Sequence, residues 1–169
     1  MIMRKVLIVL ALLFSVSATQ AQYNEQVARA DYAQAFTGVS NDFAWSRECV
    51  TDKDRGSLIL EITKRIKVTT VIDTIVIGSI DDLHLGVNAT LANGRLPWDN
   101  SAIKADVTYT FTSNGYIVTV SQIKYKMNNE STYSDVGSII YNNKGLLRKR
   151  GDGDLRYFDN AFCDNLLIE

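Results

Sequence analysis

The stretch Ile103–Met127 alternates apolar and polar residues on both sides of Asn114-Gly115, and the parity of that alternation changes partway through its second half. Period-two alternation marks a strand with one face buried and one wet. Asn-Gly favours a two-residue type I′ turn, whose central residues both need positive φ. Such a turn sets Phe111 against Val118 and Tyr109 against Val120. Continued unchanged, it opposes Val107 to Gln122 and Ala105 to Lys124, apolar against polar. One extra residue absorbed at Ser121 or Gln122 pairs Val107 with Ile123, Ala105 with Tyr125 and Ile103 with Met127 instead. A β-bulge supplies that residue and bends the strand, whereas an uncorrected slip would expose a whole apolar set. The expectation is a bulged hairpin in a curved sheet able to wrap around a helix.

The flanking segments fill out that sheet. Ala28, Tyr32, Ala35, Phe36, Val39 and Phe43 trace one helical face between Asn24 and Trp45, with Asn24 as cap and Gly38 ending or kinking the helix. After the polar turn Thr51–Gly56, Leu58, Leu60, Ile62, Ile66 and Val68 occupy alternate positions and read as a strand. Residues 71–80 are densely apolar and read as a more buried strand, and Leu83, Leu85, Val87, Ala89 and Leu91 alternate again. Residues 92–101 hold the sole proline and read as a loop, as do 128–135. Ile139–Leu147 reads as a strand or a short hairpin around Asn142–Gly145, and 148–154 as a solvated connection. Phe158, Ala161, Phe162 and Leu166 then share one face of a C-terminal helix. The fold class is α+β, with an N-terminal and a C-terminal helix packed on a curved, mostly antiparallel meander sheet of five to six strands.

Residues 1–21 have the layout of a secretory signal peptide: basic Arg4 and Lys5, an apolar core from Val6 to Phe14, and a small, polar end. The core is shorter than the roughly 20 residues that span a bilayer. Cleavage after Ala21, or alternatively Ala18, leaves an exported chain, periplasmic or secreted, with no stable membrane span; 22–169 form a single α+β domain. Without residues 1–21 there are 16 basic and 19 acidic residues, a mildly acidic balance with both signs mixed. That composition argues against nucleic acid, whose affinity rests on clustered Lys and Arg. Two cysteines, Cys49 and Cys163, are compatible either with a disulfide or with two buried small side chains.

Three segments, the helix ending near Phe43-Ala-Trp45, Asp52–Ile62 and the hairpin Asp106–Val120, resemble a family of exported Gram-negative domains of unknown function with a fold like the TATA-binding protein. The resemblance covers about half of the chain after residue 21. It implies a curved antiparallel sheet carrying helices, and it brings no functional residues. The chain departs from the family pattern in lacking a clear strand before the first helix and in its long segment 69–102.

Chemistry is sparse. His84 is the sole histidine, and with Asp81 and Asp82 it could begin a metal or general-base site of a hydrolase. The strand reading, however, sets Asp82 and His84 on the polar face. No nucleophile elbow, phosphate-cradling glycine loop or Cys-x-x-Cys pair is present, and no cofactor is implied. Arg150-Gly-Asp152 and Asp152-Gly-Asp154 belong to the solvated connection, and Asn88 and Asn129 head glycosylation tripeptides. Tyr116, Lys124 and Lys126 are placed on the hairpin's outer face, and Trp98 either on the core or in a surface groove. These four are the candidate binding residues for an envelope protein, a peptide or a small ligand. A non-enzymatic binding domain is the reading this pattern favours.

Overall fold

Asp54 begins an element that the alternation of Leu58, Leu60 and Ile62 disguises. In the computed structural model, which describes residues 32–39, 42–84, 102–126 and 130–168 but not the side chains of Asp82 and His84, Arg55–Arg65 is an α-helix, α1. Asp54 caps it, accepting the Ser57 backbone N–H at 3.1 Å and the Ser57 hydroxyl at 2.6 Å. Leu58, Ile62 and Ile66, four residues apart, are buried, while Leu60 is 59% exposed. The expected strand is therefore a helix, because spacing by four satisfies a helical face just as spacing by two satisfies a strand. Lys64, which interrupts the strand pattern, points outward and binds Glu61 at 2.6 Å.

The chain divides at Gln34/Ala35 into two units. Residues 32–34 of the first are helical; the expected helical stretch before them lies outside the described residues, as do 85–101 with Trp98. The second unit is the α+β domain. Its strands are β1 (Phe36–Thr37), β2 (Ala44–Val50), β3 (Lys67–Ile72), β4 (Ile75–His84), β5 (Ala102–Phe111), β6 (Gly115–Lys126) and β7 (Ser134–Asp135), and its further helices are α2 (Gly137–Ile140) and α3 (Gly151–Leu166). Phe43 and Trp45 thus flank and enter a strand instead of ending a helix; Phe36 stacks on Phe43 at 5.2 Å across the β1–β2 connection. The densely apolar 71–80 divides into a hairpin around Asp73-Thr74 at the sheet's edge, where Val71 and Ile72 are half exposed. The tight turn at Asn142–Gly145 is present, closed by the Tyr141–Leu147 bridge. Residues 151–154 form the first turn of α3 and are not a loop.

All strand pairs are antiparallel, in the order β1-β2-β6-β5-β4-β3, with β7 beside the far end of β6. Strands β3 to β6 meander as expected, but β2 joins the opposite edge from β3. The connection must therefore cross about 19 Å, four gaps of about 4.8 Å. An 11-residue helix, about 16 Å long, makes that crossing and covers the face on the way.

The bulge sits where the parity slips. Gln122 adopts φ 53°, and the β5–β6 register shifts opposite it, between Lys104 and Asp106. Tyr116, Val118 and Val120 before it and Ile123 and Tyr125 after it are all buried. The turn differs by one pair: Phe111 faces Tyr116, Tyr109 faces Val118 and Ile103 faces Tyr125. Thr112 donates its N–H to Gly115 O at 2.9 Å, which centres the turn on Ser113-Asn114. Gly115 is then a strand residue opposite Val50, where any Cβ would collide with the Cys49 carbonyl. A second bulge, between Ile80 and Leu83 of β4, lies on the other side of β5. The two bend the sheet together.

The core lies between one face and the helices α1 and α3, with Trp45, Tyr109, Phe158 and Phe162 fully enclosed. On the other face, rows of cross-strand partners run from β2 to β3. One row is Glu48, Ile117, Thr110, Ile75, Ile72 and the next is Ser46, Thr119, Thr108, Ile77, Thr70. The third holds Ser121, Asp106, Ser79 and Lys67. None of these side chains is buried.

Candidate functional site

Three connections meet at one end of the covered face. The β2–α1 loop brings Thr51, Asp52 and Lys53, the β3–β4 turn brings Thr74, and the β5–β6 turn brings Phe111, Thr112 and Ser113. Backbone bonds hold them together: Phe111 N–H to Thr74 O at 2.7 Å and Thr51 N–H to Asn114 O at 3.1 Å. Between them and the first turn of α1 lies an open groove of about 640 Å³. Leu58 and Phe111 give it an apolar floor, and the Arg55 guanidinium lies over the Phe111 ring, 5.3 Å from its centroid. Among the described residues no carboxylate pairs with Lys53 or Arg55. A smaller cavity of about 240 Å³ lies between Lys64, Ile80, Leu83 and Asp164, bridged nearby by Arg65 donating to Asn165 O at 3.1 Å.

A second polar cluster joins β2 to α3. Asp159 is almost fully buried and accepts from Trp45 Nε1 at 2.8 Å. It also accepts from Arg47 Nε at 3.1 Å and from Arg47 Nη2 at 3.0 and 2.9 Å. The Cys163 thiol lies 3.9 Å from the same carboxylate. Burial and then the Asp159 charge push that thiol up to about 11, so it stays protonated and is a poor nucleophile. The cluster is a strand-to-helix clamp. Two tyrosines add to it: Tyr109 donates to Leu166 O at 2.9 Å, and the Tyr116 hydroxyl accepts from Ile168 N–H at 2.6 Å. Burial raises both hydroxyls above the ordinary tyrosine value.

Two solved structures are similar to this chain. One is a DUF4468 family protein from Bacteroides ovatus ATCC 8483, with a TM-score of 0.45 and 14% identity over 77% of this chain and 82% of that one. The other is a TBP-like protein from Parabacteroides distasonis ATCC 8503, with a TM-score of 0.41 and 17% identity over 75% of this chain and 88% of that one. No family model matches the chain, and no curated protein does. The second structure carries the fold name that the resemblance of the hairpin and its flanks implies. Neither description names a ligand, substrate or partner.

The candidate binding residues do not come together. Tyr116 is fully buried on the covered face; it shares the parity of Val118 and Val120, so the outer-face placement is corrected. Lys124 is exposed on the other face, and Lys126 lies over the Tyr133 ring at 5.1 Å. Cys49 and Cys163 are both free thiols. Asp81 sits in the β4 bulge, 3.9 Å from Lys67; Asp82 and His84 lie on the same strand, their side chains outside the described residues. Among the described residues no group of His, Cys, Asp and Glu could hold a metal ion, and no helix is long and apolar enough to cross a membrane. The groove is what sequence reasoning missed. Its signal is three polar turns, Thr51–Gly56, Asp73-Thr74 and Thr112–Gly115, separated by long stretches of sequence and brought to one end of the sheet by the β4–β5 and β2–β6 pairings.

Proposed function

We propose that this is a non-enzymatic, exported binding domain, and that the groove at the head of α1 takes a small ligand or a peptide segment. The ligand class is one that combines an apolar face with an acidic or hydrogen-bond-accepting group. The observation that carries this reading is the pairing of Arg55 with Phe111 beside Lys53 and the hydroxyls of Thr51, Thr74, Thr112 and Ser113. An aromatic floor with a cation fixed above it offers stacking and charge in one place. Export rests on the layout of residues 1–21. Fragment screening by amide chemical shifts tests the groove: aryl carboxylates should move the amides of Lys53, Arg55 and Thr112. Arg55→Ala should weaken them about tenfold, a loss of ~1.4 kcal/mol. Shifts confined to other surfaces would refute the assignment. Fractionation of cells making the full chain, with the N-terminal residue of the product determined, tests export and cleavage after Ala21.

A further inference from the structure

Every residue from Asn143 to Arg150, between α2 and α3, is exposed. These eight residues hold four of the 16 basic residues that follow position 21, Lys144, Arg148, Lys149 and Arg150, and none of the 19 acidic ones. They also hold two adjacent leucines, Leu146 at 61% and Leu147 at 42% exposure. A single exposed leucine needs no explanation. Two side by side with cations on both flanks form an apolar spot ringed by one sign of charge.

The backbone fixes that spot in place. Asn142 Oδ1 accepts the N–H groups of Lys144 at 2.9 Å and Leu146 at 3.0 Å, and Gly145 supplies the positive φ of 71° that the turn needs. Leu147 lies against Gly151 at the start of α3. Arg148 Nε donates to Tyr141 O at 3.0 Å, so its charge stays at the base of the turn. Among the described residues no carboxylate forms an ion pair with any of the four cations. The nearest acids in sequence are otherwise engaged. Asp152 and Asp154 lie in the first turn of α3, where the helix dipole is positive, and Asp135 accepts the Ser138 N–H.

We propose that this loop docks the domain on an anionic lipid surface, with Leu146 and Leu147 entering the headgroup layer and the four cations lying among the lipid phosphates. Reversible membrane attachment takes two signals, a small apolar anchor and a polybasic patch, and both are present within eight residues. An acidic protein would need a shape to read, and neither leucine sits in a groove; a bilayer needs none. The 16 residues of α3 span about 24 Å. The loop adjoins the first turn of that helix, whereas Tyr109 and Tyr116, on the strands that carry the groove, bond the backbone at its other end. Docking thus leaves the groove at the opposite end of the domain and does not rest on what it binds.

Co-sedimentation of the full chain with vesicles tests this, comparing phosphatidylcholine alone with phosphatidylcholine holding about one third phosphatidylglycerol. Binding is expected to the mixed vesicles only and should fall as salt is raised. Lys149→Ala should weaken it about fivefold, the worth of one cation near such a surface, and Leu146→Ser about as much. Lys104→Ala on the open sheet face, and Leu60→Ser on α1, whose 59% exposure matches that of Leu146, should leave binding unchanged. None of the four should move the melting temperature. Leu146→Trp should bind as the parent does and shift its emission to the blue. The apolar core from Val6 to Phe14 can itself enter a bilayer, so the loop variants decide. No preference for the mixed vesicles overturns the proposal. So does binding that neither Leu146→Ser nor Lys149→Ala weakens, or emission from Leu146→Trp that stays at its value in water.

Discussion

Asp159 shows how one side chain fixes the relation of a strand to a helix. A buried carboxylate is tolerated only when its lone pairs are filled, and here Trp45 and the Arg47 fork fill them. Asp159→Ala should therefore cost about 3–5 kcal/mol, because it strands a partly buried guanidinium and an indole N–H at once. Urea unfolding measures it, and a loss under about 1 kcal/mol, the worth of a surface ion pair, would show that the clamp is solvated. Gln122 makes the opposite case. Its φ of 53° is a conformation in which a side chain meets the following carbonyl, at a cost of roughly 1–2 kcal/mol. Because Gln122 is exposed, Gln122→Gly should leave stability unchanged or raise it by up to about 1 kcal/mol, and Gln122→Val should lower it. Equal destabilisation by both would mean that the bulge lies elsewhere.

At the scale of elements, α1 gives the sharpest test, since a strand and a helix bury different residues of the same segment. Leu58→Ala should cost about 2–4 kcal/mol, whereas Leu60→Ser, on the wet side, should stay within about 0.5 kcal/mol. Similar costs at both positions would restore the strand. The alternation at 58, 60 and 62 is ambiguous because positions 58 and 62 belong to both periods; Asp54 with Ser57 three residues on is the signal that separates them. The β5–β6 hairpin was legible to within one residue of its bulge, Ser121 or Gln122, because its information is local: a long alternation, one turn and one change of parity. Its register was not, since Gly115 belongs to the strand opposite Val50, where any Cβ would collide with the Cys49 carbonyl, and β2 is far away in sequence. The groove was illegible for the same reason on a larger scale. No period or motif within any of its three turns records that α1 carries β2 to the edge opposite β3.

Across the whole molecule, the buried hydroxyls of Tyr109 and Tyr116 at the C-terminal end of α3, and the Cys163 thiol on α3 itself, make it sensitive to alkali. The Cys163 thiol titrates near 9 when unfolded and near 11 in the fold. Between those values the unfolded chain has lost a proton that the native state keeps, so stability falls as pH rises through that window and is fully present below it. Tyr109 and Tyr116, raised above the ordinary tyrosine value of about 10 chiefly by burial, extend the fall from pH 10 upward. The urea midpoint should thus hold steady up to about pH 8.5 and drop between about pH 9 and 11, with the onset below the ordinary tyrosine range. Cys163→Ser has no thiol to ionise, so it should delay that onset toward pH 10; Tyr109→Phe should leave the onset in place and flatten the part above it. A midpoint that falls equally steeply from pH 9 in all three proteins would mean that the junction between α3 and the sheet is wet, and that the clamp at Asp159 does not seal this edge of the core.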